Sequence, residues 1–433
     1  MGVRGRFLLV AGLASAFAPA ASAAAPRLVT VGYRTPGALH GLRVVRRIPA
    51  LRTAEVRVAN ERVAVRLRSR PGIRFVQRLV PRTRSGSPVF AQGTLAVPEW
   101  QFAAAHEDLV PSWVQQAAAN VTIAVVDTGA DLNVPSLAAK APITWNVTTN
   151  SAAVSDQVGH GTFVASLAAG SISTPNAMQG FGGAAKLMIV QANRGGTGFS
   201  DVDEANAIVW ATDHGANIIN LSLGGTQTSV VERSAVQYAM SKGVLLVAAA
   251  GNSAQEGNPT VYPAALIGRS GLVVGAADEG GARASFSTTG SYVDLLAPGV
   301  DVLGALANGV SSTLFAPAST PGAFGSYGYG SGTSYAAPEI AGAAALVLAA
   351  NPSLSATAVA QTLEATASGS GTWTNALAFG DVNVAAAVQR ALGGAAPTLV
   401  QPPILVKPKQ AKPKKNATTE PAGKKRSSIQ RPG

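Results

Sequence analysis

The chain of 433 residues contains no cysteine. That absence excludes disulfides, thiolate nucleophiles and cysteine-ligated zinc. Charge is sparse too, at 13% of residues, and aromatic side chains make up only 6%. A chain this poor in charge and 47% hydrophobic has the composition to bury a large core. A core that size lets an exported protein do without disulfides. Two motifs are missing as well. Without G-x-x-x-x-G-K-[ST] there is no basis for P-loop nucleotide binding, and without G-x-S-x-G none for a lipase-like nucleophile elbow. Beyond the N-terminus no apolar run reaches membrane-spanning length. The longest, Ile340 to Ala350, fits a buried helix.

Glycine is plentiful at 47 residues, which suits an α/β protein with many tight turns. The net charge of +12 is unevenly placed. Residues 26–98 hold 15 arginines against two glutamates, 99–394 hold eight basic and 19 acidic side chains, and 395–433 hold nine basic and one acidic. The body is therefore acidic and both flanks basic. The excess of positive charge belongs to those flanks, so it does not make the whole chain a specific nucleic-acid binder.

Residues 1–23 have the form of a signal peptide: Arg4 and Arg6, an apolar stretch from Phe7 to Ala18, then Ala21-Ser22-Ala23. Export to the extracellular space, periplasm or envelope follows. Residues 24–98 read as a basic module and linker. Leu28 to Val31 and Glu55 to Val58 look like strands; Glu61 to Arg68 fits a short helix or another strand. Residues 81–98, with Pro81, Pro88 and Pro98, read as an exposed linker. Residues 395–433 read as a disordered Pro/Lys-rich tail, solvated or in contact with acidic envelope polymers.

Between 99 and 394 lie apolar runs without polar alternation: Val121 to Val126, Leu187 to Ala192, Ile218 to Leu221 and Val244 to Ala249. Strands covered on both faces have this pattern. Helical candidates fall between them at Gly161 to Ala169, Asp201 to His214 and Val230 to Lys242. The expected architecture is α/β, a doubly wound, mostly parallel sheet flanked by helices, preceded by a small α+β module. Such sheets place their sites at the carboxyl ends of the strands.

Three segments put reactive residue types at strand ends or helix starts: Asp127-Thr128-Gly129, Gly159-His160-Gly161-Thr162 and Gly330-Ser331-Gly332-Thr333-Ser334. Singly, Asp127 could cap a turn and Ser334 a helix. The chain has four histidines, and His214 at a helix end suits the helix dipole. The order Asp, His, Ser is one known triad order. The segments VVDTG, GHGTFVAS, NLSLGG, VAAAGN, DLLAPG and GSGTSYAAP together resemble the signature blocks of the subtilases, in the family's order, over roughly residues 110–393.

That resemblance implies a serine endopeptidase acting on polypeptides, with Ser334 as nucleophile, His160 as base and Asp127 as orienter. It implies Asn252 and the Ser334 amide as oxyanion donors. Ser222, Leu223, Gly224 and Gly225, with Ala249, Ala250 and Gly251, would line the substrate and pair with it by strand addition. It also implies that residues 24–98 are a pro-segment that the enzyme removes, cut between Val80 and Pro98. The Tyr262-Pro263 bond is often cis in the family, although trans is the default for the dipeptide. The chemistry needs no cofactor or metal. The family's usual calcium site is in doubt, because Val134-Pro135-Ser136-Leu137 lacks its carboxylate. Phe163 replaces a common second histidine, and Asp301 to Gly330 is a long insertion that could overhang the cleft. A monomer is expected. The competing reading is a catalytically silent binding protein that kept the fold.

Overall fold

The computed structural model describes residues 27–84, 99–171, 178–196, 198–310, 313–317, 327–369 and 371–393. The signal-like segment, residues 85–98 of the expected linker and the basic tail lie outside them.

The N-terminal module contains β1 (Arg27–Tyr33), β2 (Arg43–Ile48), β3 (Thr53–Val58), α1 (Glu61–Arg68) and β4 (Ile73–Arg78). These strands form an antiparallel sheet in the order β2-β3-β1-β4. Val29, Val31, Val56, Leu67 and Val76 make its core, with α1 supplying Leu67. The Glu61–Arg68 ambiguity resolves to helix, because Asn60 accepts the Val63 amide and caps its start.

The next segment departs from expectation. Pro81–Arg84 is a strand, β5, rather than exposed linker. It pairs with two strands of the following domain, which satisfies backbone groups that a loop would leave to water.

In the larger domain, short helices α2 (Trp100–Ala104) and α3 (Ser112–Ala117) lead into β6 (Thr122–Asp127). Then follow α4 (Pro135–Ala138), β7 (Ile143–Asn146), α5 (His160–Ala169), β8 (Lys186–Gln191), β9 (Gly198–Ser200) and α6 (Asp201–Asp213). The chain continues through β10 (Ile218–Leu221), β11 (Leu223–Gly224), α7 (Val230–Ser241), β12 (Leu245–Ala249), α8 (Ala264–Ile267), β13 (Leu272–Ala277) and β14 (Leu295–Pro298). It ends with β15 (Val302–Ala305), β16 (Ala316–Pro317), β17 (Tyr327–Gly330), α9 (Thr333–Ala350), α10 (Ala356–Ala365) and α11 (Val384–Gly393). The central sheet runs β14-β13-β12-β10-β6-β8-β7, and its pairs are parallel.

The missing alternation has a direct cause. Ile123 and Val125 of β6 pack with α5 and α9 on one face, while Ala124 and Val126 pack with α6 and α7 on the other. β12 divides likewise, with Leu245, Val247 and Ala249 on one side and Leu246 and Ala248 on the other. Among the described residues α9 is the one helix long and apolar enough to cross a membrane, yet 83% of it is buried in this core. Ile48 and Leu51 of the N-terminal module join the α6/α7 cluster, so the module is attached by apolar packing as well as charge. Within the 301–330 region β15, β16 and β17 form a small antiparallel sheet. Its Phe315 stacks on Phe163 at 4.5 Å between ring centroids.

Candidate active site

Asp127 is the last residue of β6, and the Thr128 amide donates to its Oδ1 at 2.7 Å. His160 opens α5, and its Nδ1 lies 2.8 Å from the same Asp127 oxygen. Two glycines allow this approach. A Cβ at Gly161 would sit 2.1 Å from the Gly129 carbonyl oxygen, and one at Gly129 equally close to that of Ser155. Gly129 also has φ +103°, a region that L side chains avoid.

Asp156 was not singled out in the sequence, yet it organises this corner. Its Oδ1 accepts Thr128 Oγ1 at 2.9 Å and the Gly159 amide at 2.8 Å; its Oδ2 accepts the Thr162 amide and hydroxyl at 2.8 and 2.7 Å. A carboxylate there satisfies amides at the start of α5 and faces the positive end of the helix dipole. An acidic residue four positions before the helix start was the available signal.

Ser334 lies in the first turn of α9, where amides have no partner within the helix. Pro338 is four residues later and has no N–H, so the Ser334 carbonyl loses its helical donor. Ser222 replaces it: Ser222 Oγ donates to the Ser334 carbonyl at 2.8 Å, and Asn220 Nδ2 donates to Ser222 Oγ at 2.9 Å. In return Ser334 Oγ donates to the Ser222 carbonyl at 3.0 Å. The expected bond from Ser334 to His160 is therefore not the one formed. His160 Nε2 is buried without a hydrogen-bond partner among the described residues, although its ring is 5.7 Å from that of Tyr335, the residue after Ser334.

Asn252 follows β12. Its Oδ1 accepts the amide and hydroxyl of Thr333, each at 3.0 Å. This fixes the amide orientation and leaves Nδ2 buried and without a partner among the described residues. Asp127 Oδ2 shares that condition. Buried polar atoms are nearly always paired, so a carboxylate oxygen, an imidazole nitrogen and a carboxamide nitrogen left unpaired on three elements of one sheet edge call for explanation.

Of the other expected residues, Leu223 and Gly224 form β11, which pairs antiparallel with Arg84 and Thr83 of β5. Thr83 Oγ1 also donates to the Gly224 carbonyl at 3.3 Å. On its other edge β5 pairs with β9, Thr83 opposite Gly198 and Pro81 opposite Ser200. Gly225 bridges Tyr262, whose bond to Pro263 is cis rather than the default trans. Ala249 and Ala250 are fully buried in the two core clusters, and Gly251 donates its amide to Thr333 Oγ1 at 3.1 Å. Thus β11 is engaged by the protein's own chain, and Ser334 and His160 are both 0% exposed. Ser136, in the segment lacking the family's carboxylate, hydrogen-bonds Tyr327 Oη at 2.7 Å.

A parallel sheet with helices on both faces, and an Asp, a His and a Ser gathered at its carboxyl edge, defines a subtilisin-like α/β fold. Residues 118–388 match the Subtilase family, Peptidase S8, and the chain belongs to that family. The Thermophilic serine proteinase of Bacillus sp. (strain AK1) is 36% identical over 265 residues, covering 60% of this chain and 60% of that protein. The chain thus spans less than two thirds of that relative's length. Thermitase of Thermoactinomyces vulgaris is 37% identical over 284 residues, 64% of this chain and 92% of thermitase. Among solved structures, fervidolysin from Fervidobacterium pennivorans, a keratinolytic enzyme related to subtilisin, aligns with a TM-score of 0.72 at 25% identity. That alignment covers 86% of this chain and 62% of fervidolysin.

Proposed function

We propose that the protein is an exported serine endopeptidase that forms an acyl-enzyme on Ser334. The Ser334 Oγ attacks the peptide carbonyl carbon while His160 Nε2 takes its proton. Asp127 holds the imidazole by Nδ1 and stabilises the imidazolium. Asn252 Nδ2 and the Ser334 amide donate to the oxyanion. Collapse of the tetrahedral intermediate breaks the C–N bond, and the proton on His160 passes to the leaving amine. Water, deprotonated by His160, then releases the acyl group and restores the serine. Before attack the Ser334 hydroxyl turns from the Ser222 carbonyl to the imidazole, a rotation about one side-chain bond.

One observation carries this reading. Asn252 is held by its oxygen on Thr333, and its nitrogen, like His160 Nε2, is buried without a hydrogen-bond partner among the described residues. The proposed transition state gives both atoms a partner, an oxyanion for the Asn252 nitrogen and the serine proton for His160 Nε2. The N-terminal module, residues 24–98, acts as a pro-segment. Support comes from β5 on β11 and from two ion pairs across the junction: Arg194 meets Glu55 at 2.9 Å, and Arg46 meets Asp203, which Arg194 of the same domain also contacts at 2.7 Å. The signal-like residues 1–23 support export. The positive charge of residues 395–433 suits contact with acidic envelope polymers, and the triad chemistry itself runs on side chains and backbone amides.

Ser334→Ala tests the proposal. The variant should neither hydrolyse an unfolded protein substrate nor release its own N-terminal module. Efficient processing by the isolated variant would count against the assignment and favour a binding protein on this fold.

A further inference from the structure

Arginine is rarely buried, yet Arg82 of β5 is 1% exposed. Its guanidinium joins two carboxylates from different helices. Nε lies 3.0 Å from Glu204 Oε2 on α6, and Nη2 lies 2.6 Å from Glu232 Oε1 on α7. Glu204 and Glu232 are both 0% exposed, as is Asp201, whose Oδ1 accepts the Val80 amide at 2.9 Å. Among the described residues Arg82 is the one cation within ion-pair distance of either glutamate. The carboxylates belong to the α/β domain, whereas the cation comes from the strand laid between β9 and β11.

The position of that strand matters. β5 runs antiparallel to β11 with Arg84 opposite Leu223, and the residue before Leu223, Ser222, is bonded to Ser334. Arg82 therefore occupies a place on the path of a bound polypeptide, upstream of the bond presented to Ser334. Once the N-terminal segment departs, two buried glutamates face each other with Asp201 beside them. Burial and the neighbouring Glu232 already hold the Glu204 carboxyl well above the usual range. Such a pocket disfavours an apolar side chain, which would leave both carboxylates desolvated and uncompensated. A planar guanidinium, with donors in a fixed fork, can bridge acceptors on two helices; a lysine ammonium is a point charge.

We infer that Glu204 and Glu232 form a specificity pocket for arginine upstream of the cleaved bond, so that the enzyme selects polypeptides carrying arginine where Arg82 now lies. This rests on the peptidase reading, and the test separates the two. Internally quenched peptides with the sequence of residues 78–90, carrying Arg, Lys, Leu or Ala at position 82, are given to the processed protein. Mass spectrometry locates the cut, and fluorophosphonate labelling counts reactive Ser334. The expected kcat/KM for the arginine peptide exceeds that for leucine by roughly 100-fold, with lysine between them and cleavage beyond Arg84. In a Glu204→Gln/Glu232→Gln variant the arginine-to-leucine ratio should collapse toward one. The comparison of peptides on the unaltered protein stands even if that variant folds poorly. Equal or better cleavage of the leucine peptide by labelled enzyme, or a cut directly after position 82, overturns the pocket and leaves the peptidase intact. If Ser334 takes no label and no peptide is cut, the peptidase reading falls and the pocket with it.

Discussion

At the scale of single residues, the site is built from vacancies in ordinary bonding patterns. Pro338 withholds an amide hydrogen from the Ser334 carbonyl, and Ser222 takes the empty place. Thr333 occupies the Asn252 oxygen and leaves its nitrogen without a partner among the described residues; in the proposed mechanism that nitrogen donates to the oxyanion. Asn252→Ala should therefore lower kcat by roughly 100- to 1,000-fold with little change in KM, since the lost bond strengthens in the transition state; steady-state kinetics on one peptide decides it. Glu107 makes a second prediction. Burial pushes its carboxyl up from 4.5 to about 7, against the opposing hydrogen bonds from Gln115 and Gln179. The folded state thus holds this proton more tightly than the unfolded chain does. The associated stability is complete below pH 4.5 and is lost as pH rises through about 7. Glu107→Gln should match the parent in thermal unfolding at pH 4 and exceed it at pH 8. The sequence expectation for Asp127, His160, Ser334 and Asn252 came from short distinctive segments, and the structure places each of the four at or near a strand end or a helix start. Asp156 was not legible in the sequence, because its role consists of bonds to backbone amides that have no sequence signature. The cluster around Arg82 was hidden for a different reason: Glu204 and Glu232 lie 122 and 150 residues from Arg82 in the chain.

At the scale of elements, the sequence disclosed most strands and helices through runs buried on both faces. It failed at β5. Pro81, Thr83 and Arg84 look like loop residues because their pairing partners belong to another domain. Local propensity cannot register such partners. The contact between α5 and α9 is similarly non-local. A Cβ at Gly342 would fall 2.5 Å from the Gly182 amide and 2.7 Å from the Ala168 carbonyl oxygen, backbone atoms that cannot swing aside. Gly342→Ala should destabilise the domain by about 1–3 kcal/mol, seen as a lower midpoint in denaturant unfolding, despite the better helix propensity of alanine. Because α9 carries Ser334 at its first turn, some loss of activity should accompany the loss of stability.

At the scale of the whole molecule, charge is divided so that a basic N-terminal module meets an acidic domain, and β5 of that module lies between β9 and β11, on the proposed path of a substrate. The Arg46, Glu55, Arg194 and Asp203 cluster is partly exposed and therefore sensitive to salt. A released N-terminal module added back to the processed domain should inhibit it, and its association rate should fall as sodium chloride is raised, while Ile48 and Leu51 keep dissociation slow. The proposed activity depends on one hydroxyl being made reactive by a buried imidazole. The most direct measurement is fluorophosphonate labelling of the processed protein followed by peptide mapping, with His160→Ala in parallel. The account predicts a single adduct on Ser334 that disappears in the variant. A folded, processed protein that takes no label, or a Ser334 adduct that forms as fast without His160, would contradict it.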